Sequence, residues 1–200
     1  MSTPIKIASK IGLVAGRALR ASMQGRVILP GDEDYGQART VWNAAIDHHP
    51  AVIAQCISVR DVQLAVRAAR TYGLPLSVRG GGHDWAGRAV RHGGLVIDLS
   101  AMRQVAIDPE RGIAMVAGGA LARDVIAAAE PHGLVAVTGA CSSVGMAGLT
   151  MGGGYGALNG RYGLAADNLV GADVVLADGS VVAADARGGI GGNDFAKDEH

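Results

Sequence analysis

A mixed helix-and-strand domain is the fold class this sequence predicts, and three features predict it. From Pro50 onward, strand-length apolar runs alternate with amphipathic helical stretches. Apolar residues make up 49% of the chain, yet only 4% are aromatic and 31 are glycine, so the core is built from Val, Ile, Leu and Ala with backbone closely approached. The third feature is Leu74 to Gly87, LPLSVRGGGHDWAG, an apolar strand that runs into three glycines followed by His83 and Asp84. Together they fit a nucleotide-binding α/β chain better than a fibrous or disordered one. A chain of 200 residues buries roughly 70% of its unfolded surface, enough for one core or two small lobes that share one.

The glycine turn has a chemical reading. With no Cβ in the way, its backbone N–H groups can approach an anion, and pyrophosphate is the obvious guest. His83 then faces whatever the phosphates carry. Taken alone, the turn reads equally as a tight loop ending in a surface histidine, which is the simpler account.

The elements follow in order. Ile7 to Met23 is a short amphipathic helix with Ile7, Ile11, Val14 and Ala18 along one side. Arg17 and Arg20 interrupt its apolar run before signal-peptide or membrane-span length. Residues 25–50 give a short strand, a Pro30-Gly31 turn and a helix from Tyr35 to Ile46. His48 and His49, adjacent at a helix end, are poorly spaced for one metal ion and receive no function. Ala51 to Ile57 is a strand. Ser58 and Asp61 start the helix Val59 to Tyr72, with Val62, Val66 and Ala69 on one face, and Gly73 and Pro75 end it. The strand Leu74 to Val78 then enters the glycine turn.

Beyond the turn, Gly94 to Leu99 is a strand, and Val105–Ile107 and Ile113–Val116 form a hairpin about Asp108 to Gly112. A helix from Leu121 to Glu130 presents Leu121, Val125 and Ala128. Gly133 stops it, and a strand, Leu134 to Val137, leads to Thr138-Gly-Ala-Cys141. This repeats the earlier order of helix, Gly-Leu, strand and glycine-bearing turn, with Cys141 where the first passage has His83. The following run, SSVGMAGLTMGGGYG, interleaves glycine with apolar residues and so reads as packed, a place for a flat cofactor to lie on backbone. Leu169–Leu176 and Val181–Ala184 flank Asp178-Gly179 as a final hairpin.

Several functions are excluded. Net charge is zero, so nothing argues electrostatically for nucleic acid or a membrane surface. Cys56 and Cys141 make no disulfide framework, and a reduced, cytoplasmic setting is the default. Cys56, among apolar strand neighbours, is a core residue. The G-x-G-x-x-G fingerprint fails because its last position is Trp85 when counted from Gly80 and Asn159 when counted from Gly154. No Gly-Lys-Ser/Thr triplet exists, and Cys56, His83 and Cys141 lack zinc spacing.

SVRGGGHDWAG, TGACSSVGMAGLTMGGGYG, RYGLAADN and the strand pair around ADGSVV, in this order from Arg26 to Asp185, resemble the FAD-binding domain of the vanillyl-alcohol oxidase/PCMH superfamily, nearest the berberine-bridge-enzyme-like FAD-linked oxidases. The resemblance implies an α+β fold, a PCMH-type FAD-binding domain of two α+β lobes with FAD between them. Residues 1–47 then form a lead-in, 48–186 the FAD-binding domain and 187–200 a short atypical tail, ending before the family's substrate domain. By motif position, Arg79, Gly80, Gly81, Gly82, His83 and Asp84 bind the pyrophosphate. Cys141, Ser142, Val144, Gly145, Gly148, Gly153, Gly154, Tyr155 and Gly156 pass along the flavin, and Tyr162 to Asn168 help hold it. His83 is implied to bond covalently to the flavin 8α-methyl, and Cys141 to C6 as in bicovalent members. Bottom-up chemistry agrees, since neutral imidazole and thiolate are both nucleophiles near pH 7. Cysteine is also a good small core residue, and many relatives bind flavin through histidine alone.

The implied reaction is hydride transfer from a small organic substrate to FAD with O2 as acceptor. The catalytic base belongs to the substrate domain, so no residue here is nominated. A flavin-binding fragment without turnover is the alternative, and a second chain or self-association is expected to cover the face left by the substrate lobe.

Overall fold

The structure, a computed structural model, describes residues 3–185 and 190–191. Strands β1 (Arg26–Ile28), β2 (Val52–Gln55), β3 (Leu76–Arg79) and β4 (Leu95–Asp98) form the central sheet in the order β1-β2-β4-β3. β4 runs parallel to both β2 and β3, and β1 is antiparallel to β2. Val52-Ile53-Ala54 and Leu95-Val96-Ile97 are apolar at every position, the pattern of strands covered on both faces, and all six are buried.

Helices α1 (Thr3–Arg20), α2 (Tyr35–Ala38) and α3 (Val59–Tyr72) lie around this sheet. Val52, Ala54, Leu95 and Ile97 share one core with Ala15 and Leu19 of α1 and Ala65, Val66 and Ala69 of α3. Ile53 and Val96 share the opposite core with Ile28 and Val90, packed against Tyr35, Ala38 and Val41. The start of α3 is as expected: Ser58 Oγ accepts the Asp61 N–H at 3.2 Å, and Gly73 ends the helix in the left-handed conformation. Asp61 itself is fully buried, and its carboxylate accepts the N–H groups of Gln24, Gly25 and Ile57 at 2.9–3.1 Å. That carboxylate ties the α1–β1 connection to the head of α3.

Three expectations are corrected. Among the described side chains of α1 the buried positions are Gly12, Ala15, Gly16 and Leu19, whereas Ile11 and Ala18 are exposed and Val14 is 55% exposed. A Cβ on Gly12 would lie 2.6 Å from Ala51 Cβ and one on Gly16 would lie 2.3 Å from Leu29 Cδ2, so the helix approaches through its smallest residues. The side chain of Ile7 lies outside the described residues. The helix expected to reach Ile46 stops at Ala38, because the Trp42 N–H bonds Gly82 O at 3.1 Å and the Asn43 amide bonds Trp85 O at 2.8 Å. Leu134 to Val137 is not a strand: the segment follows a 3₁₀ turn at Glu130–His132 and pairs with no neighbour among the described residues. Of the other expected strands, Ala51 to Ile57, Gly94 to Leu99 and Leu169 to Leu176 are shorter by two or three residues, Leu74 to Val78 shifts to Leu76–Arg79, Ile113–Val116 is as expected, and Val105–Ile107 and Val181–Ala184 each run one residue further.

The second lobe contains the hairpin β5 (Val105–Asp108) and β6 (Ile113–Val116), α4 (Ala122–Ala129), α5 (Met146–Met151) and α6 (Asn159–Tyr162). It is completed by β7 (Gly171–Val175), β8 (Val181–Asp185) and β9 (Ile190–Gly191), an antiparallel sheet. Its β7–β8 tip is the expected Asp178-Gly179 turn, and Gly179 O accepts from Gln63 and Arg67 of α3 at 2.6 and 3.1 Å. The lobes therefore form one α+β unit. Apart from β9, the tail 187–200 lies outside the described residues. Among the described residues no helix is long and apolar enough to cross a membrane.

Candidate functional site

Residues 80–94 join β3 to its parallel neighbour β4 without a helix of their own. Parallel neighbours need a long crossover, and an irregular one in a small domain is usually functional. The connection leaves from the carboxyl end of β3, the end of a parallel sheet beyond which ligands bind. There Arg79 stands in register with the buried Asp98, 4.0 Å away. The Arg79 guanidinium also donates to Ala38 O, at the end of α2, while its buried Nε has no partner among the described residues.

The second turn is pinned to the head of α4. Ser142 O and Val144 O accept the N–H groups of Arg123 and Ala122 at 3.0 and 2.9 Å, and the Met146 N–H bonds Ala120 O at 2.9 Å. The two turns then lie back to back. A Cβ on Gly81 would sit 2.3 Å from Gly145 N, and one on Gly145 would sit 2.5 Å from Gly81 N. Only glycine permits that approach. Its consequence is a three-residue group: His83 Nε2 is 2.9 Å from Ser143 Oγ, which is 3.3 Å from Cys141 Sγ. Trp42 stacks on His83 with ring centroids 5.5 Å apart.

The two thiols differ in electrostatics as well as place. Cys141 is exposed, and hydrogen bonds from Ser143, first its hydroxyl and then its backbone, hold its thiol below the ordinary range. Cys56 is buried, and burial, aided by Asp61 and Asp98, pushes its thiol up to about 12. Cys56 is a core residue and Cys141 is the available nucleophile.

Beside this group is a cleft of about 140 Å³ whose lining includes Arg79, Gly80, Gly81, Ser100, Arg103 and Gly119. Two guanidinium groups and side-chain-free backbone suit a pyrophosphate, so the residues present fit the phosphate portion of FAD. Arg103 is held by a bidentate pair with Asp124, which keeps the Asp124 carboxyl below the usual carboxylate range.

Other residues expected at the site are placed differently. Asp84 turns to Arg88, accepting its N–H and lying 3.5 Å from its guanidinium, so it closes the 84–88 turn. The glycine run is partly helical as α5, with Gly145 at its head and Gly148 open to space. Gly153 and Gly154 both have positive φ; a Cβ on Gly154 would meet Ala165 at 2.4 Å and one on Gly156 would meet Thr138 O at 1.9 Å, so both close chain-to-chain contacts. Tyr155 is 81% exposed. The Asn168 amide donates to Tyr162 O and Leu164 O at 2.9 and 2.8 Å, locking its own loop. Neither Tyr155 nor Asn168 shares a hydrogen bond with the His83–Ser143–Cys141 group. Sequence reasoning missed Ser143, Trp42 and Arg103. Ser143 stood inside the motif, but nothing in Ser142-Ser143 says which hydroxyl turns inward; Trp42 and Arg103 carried no signal.

Residues 50–185 match the family described as FAD binding domain. The chain is 42% identical over 161 residues to (R)-6-hydroxynicotine oxidase of Paenarthrobacter nicotinovorans, covering 80% of this chain and 35% of that protein. Among solved structures, BBE-like 1 of Physcomitrella patens superposes with a TM-score of 0.82 at 30% identity, over 86% of this chain and 38% of that one. Glucooligosaccharide oxidase of Acremonium strictum, described with a 6-S-cysteinyl, 8α-N1-histidyl FAD, superposes with a TM-score of 0.81 at 29% identity, over 87% and 37%. The chain thus spans about a third of the length of the curated relatives it matches. It belongs to the FAD binding domain family and, within it, to the berberine-bridge-enzyme-like FAD-linked oxidases of the vanillyl-alcohol oxidase/PCMH type.

Proposed function

We propose that this chain holds FAD covalently through His83 and Cys141 and serves the oxidation of a small organic substrate. When bound, FAD supplies the acceptor for a substrate hydride and passes the electrons to dioxygen, giving hydrogen peroxide. The chain's own residues hold and orient the group. In this reading Arg79 and the backbone of Gly80 to Gly82 take the pyrophosphate, His83 bonds the 8α-methyl and Cys141 bonds C6. The open backbone at Gly148 lies along the ring, and Asn168 maintains the loop from Tyr162 that borders it. The substrate's proton acceptor is expected from a portion of the protein that relatives carry beyond this length.

The observation that carries the proposal is that His83 and Cys141, distant in sequence, meet at one hydroxyl. The 6-S-cysteinyl, 8α-N1-histidyl FAD of glucooligosaccharide oxidase supports it. Intact mass under denaturing conditions tests it. The expected result is one FAD retained by the wild type, retained through the remaining link in His83→Ala and in Cys141→Ala, and lost in the double variant. A bare polypeptide mass in the wild type overturns the covalent reading.

A second reading, a flavin-holding piece without turnover on its own, is favoured by the apolar surface of the second lobe. Val135, Leu169 and Val170 are exposed there, and a second chain or self-association would cover them. Peroxide release from the 200-residue chain with a reducing substrate decides against it.

A further inference from the structure

We infer that Ser143 is a positioning residue: a relay through its hydroxyl couples the thiolate of Cys141 to the nucleophilic tautomer of His83. The inference rests on the covalent reading above for its chemical purpose, but not for its geometry.

A serine hydroxyl has one proton to donate and can accept as well. Ser143 Oγ has His83 Nε2 on one side and Cys141 Sγ on the other, so its proton points to one of them. When Cys141 is a thiolate, sulfur can only accept, and the hydroxyl proton turns to it. The Ser143 lone pair then faces His83, which must present Nε2–H. That tautomer leaves the Nδ1 lone pair free, and Nδ1 has no hydrogen-bond partner among the described residues. When Cys141 is a thiol donating to Ser143, the hydroxyl proton turns to Nε2 and the ring proton moves to Nδ1. The thiolate therefore arms both nucleophiles and the thiol disarms both. The Trp42 stack holds the ring while this happens.

The balance of the attachment step closes. With FAD bound, His83 Nδ1 would bond the 8α carbon as that carbon gives up a proton to solvent, and the ring's Nε2 proton would pass to Ser143 while the Ser143 proton passes to the Cys141 sulfur. The flavin would supply the acceptor for the two electrons and dioxygen the final oxidant, which leaves as hydrogen peroxide after taking two protons from solvent. Cys141 is then a thiol and must lose its proton again before bonding C6, so the histidyl bond precedes the cysteinyl bond.

The charged residues on the two turns that carry the relay are Arg79, Asp84 and Arg88. Asp84 is paired with Arg88, and Arg79 is engaged by Asp98 and Ala38 O. On the Cys141 side, Arg123 contributes a backbone N–H to Ser142 O.

The test uses the flavin-free 200-residue chain with 15N-labelled histidine, His83 being assigned from His83→Ala. We expect the Nδ1-lone-pair tautomer to grow with rising pH along the same curve as iodoacetamide alkylation of Cys141. Ser143→Ala and Cys141→Ala should each flatten the tautomer curve, and Ser143→Thr should restore it. With FAD added, Ser143→Ala should attach flavin on the order of 10- to 100-fold more slowly than wild type. A His83 tautomer that ignores the Cys141 titration overturns the relay, as does a Ser143→Ala curve identical to wild type; Cys141→Ala gives the same reading should Ser143→Ala fail to fold. A coupled tautomer in a chain that never retains flavin supports the relay and overturns covalent attachment alone.

Discussion

The two turns that meet at Ser143 arrive from unlike surroundings. The His83 turn leaves β3, a strand paired along its length with β4 and seated in a sheet whose central strands are buried on both faces. The Cys141 turn follows residues 134–137, an extended apolar segment without a strand partner among the described residues, in which Val135 is 64% exposed. One half of the site rests on a finished core, the other on a half-covered surface. The His83 turn is therefore placed by strand pairing in the first lobe, while the Cys141 turn is placed by three backbone bonds to the head of α4 and by the glycine contact between the turns.

The largest effect that would break this comparison is on stability. Leu95→Ala removes a fully buried side chain between α1, α3 and the sheet, and should cost about 3–4 kcal/mol. Val135→Ala should stay within about 0.5 kcal/mol in the same chain. Urea unfolding midpoints measure both. Comparable losses at the two positions would mean that the second lobe has a core of its own that its exposure conceals.

Gly81→Ala sharpens the comparison at the contact itself. The added methyl meets backbone nitrogen rather than a flexible side-chain end, so the turns must separate. Flavin retention should fall at least tenfold, with a stability loss of about 1–3 kcal/mol. Gly36→Ala, with nothing within 4 Å of its Cβ, is the control and should be neutral or stabilising by up to about 1 kcal/mol. Normal flavin retention in Gly81→Ala would show that the turns need not touch for the site to work.

What was legible in the sequence divides along the same line. Local chemistry was readable: Ser58 and Gly73 bound α3, Val-Ile-Ala and Leu-Val-Ile marked strands, and Asp178-Gly179 made its turn. The family and the glycine turn were readable because several ordered motifs agreed. What could not be read depended on long-range contact. The helix from Tyr35 stops because Trp42 and Asn43 bond a turn some forty residues away. α1 buries glycine and alanine rather than Ile11 and Val14, since closeness to Ala51 and Leu29 outweighs side-chain size. Leu134 to Val137 has strand chemistry but no edge to join. Ser143 and Trp42 acquire meaning only once the turns are in contact.

The smallest effect concerns an ion pair that helps to hold the second lobe. Arg103, just before β5, makes a bidentate pair with Asp124 in the first turn of α4, and Asp124 also accepts the Leu121 N–H at 2.8 Å. The Arg103 guanidinium holds the Asp124 carboxyl below its ordinary value. A depressed carboxylate contributes stability above its unfolded value, near 3.9, and loses that contribution as pH falls through the lower folded value. The pair is partly exposed and screened, so its contribution is about 0.5 kcal/mol. Hydrogen exchange should therefore show α4 and β5 amides opening faster on acidification through that window, a response that depends on Arg103, while the β2 and β4 amides respond alike with and without Arg103. Arg103→Gln should remove the acid dependence from α4 and β5 and leave the central strands as they were. An acid response shared equally by β4 would place the titrating group in the first lobe and tie the two lobes into one cooperative unit.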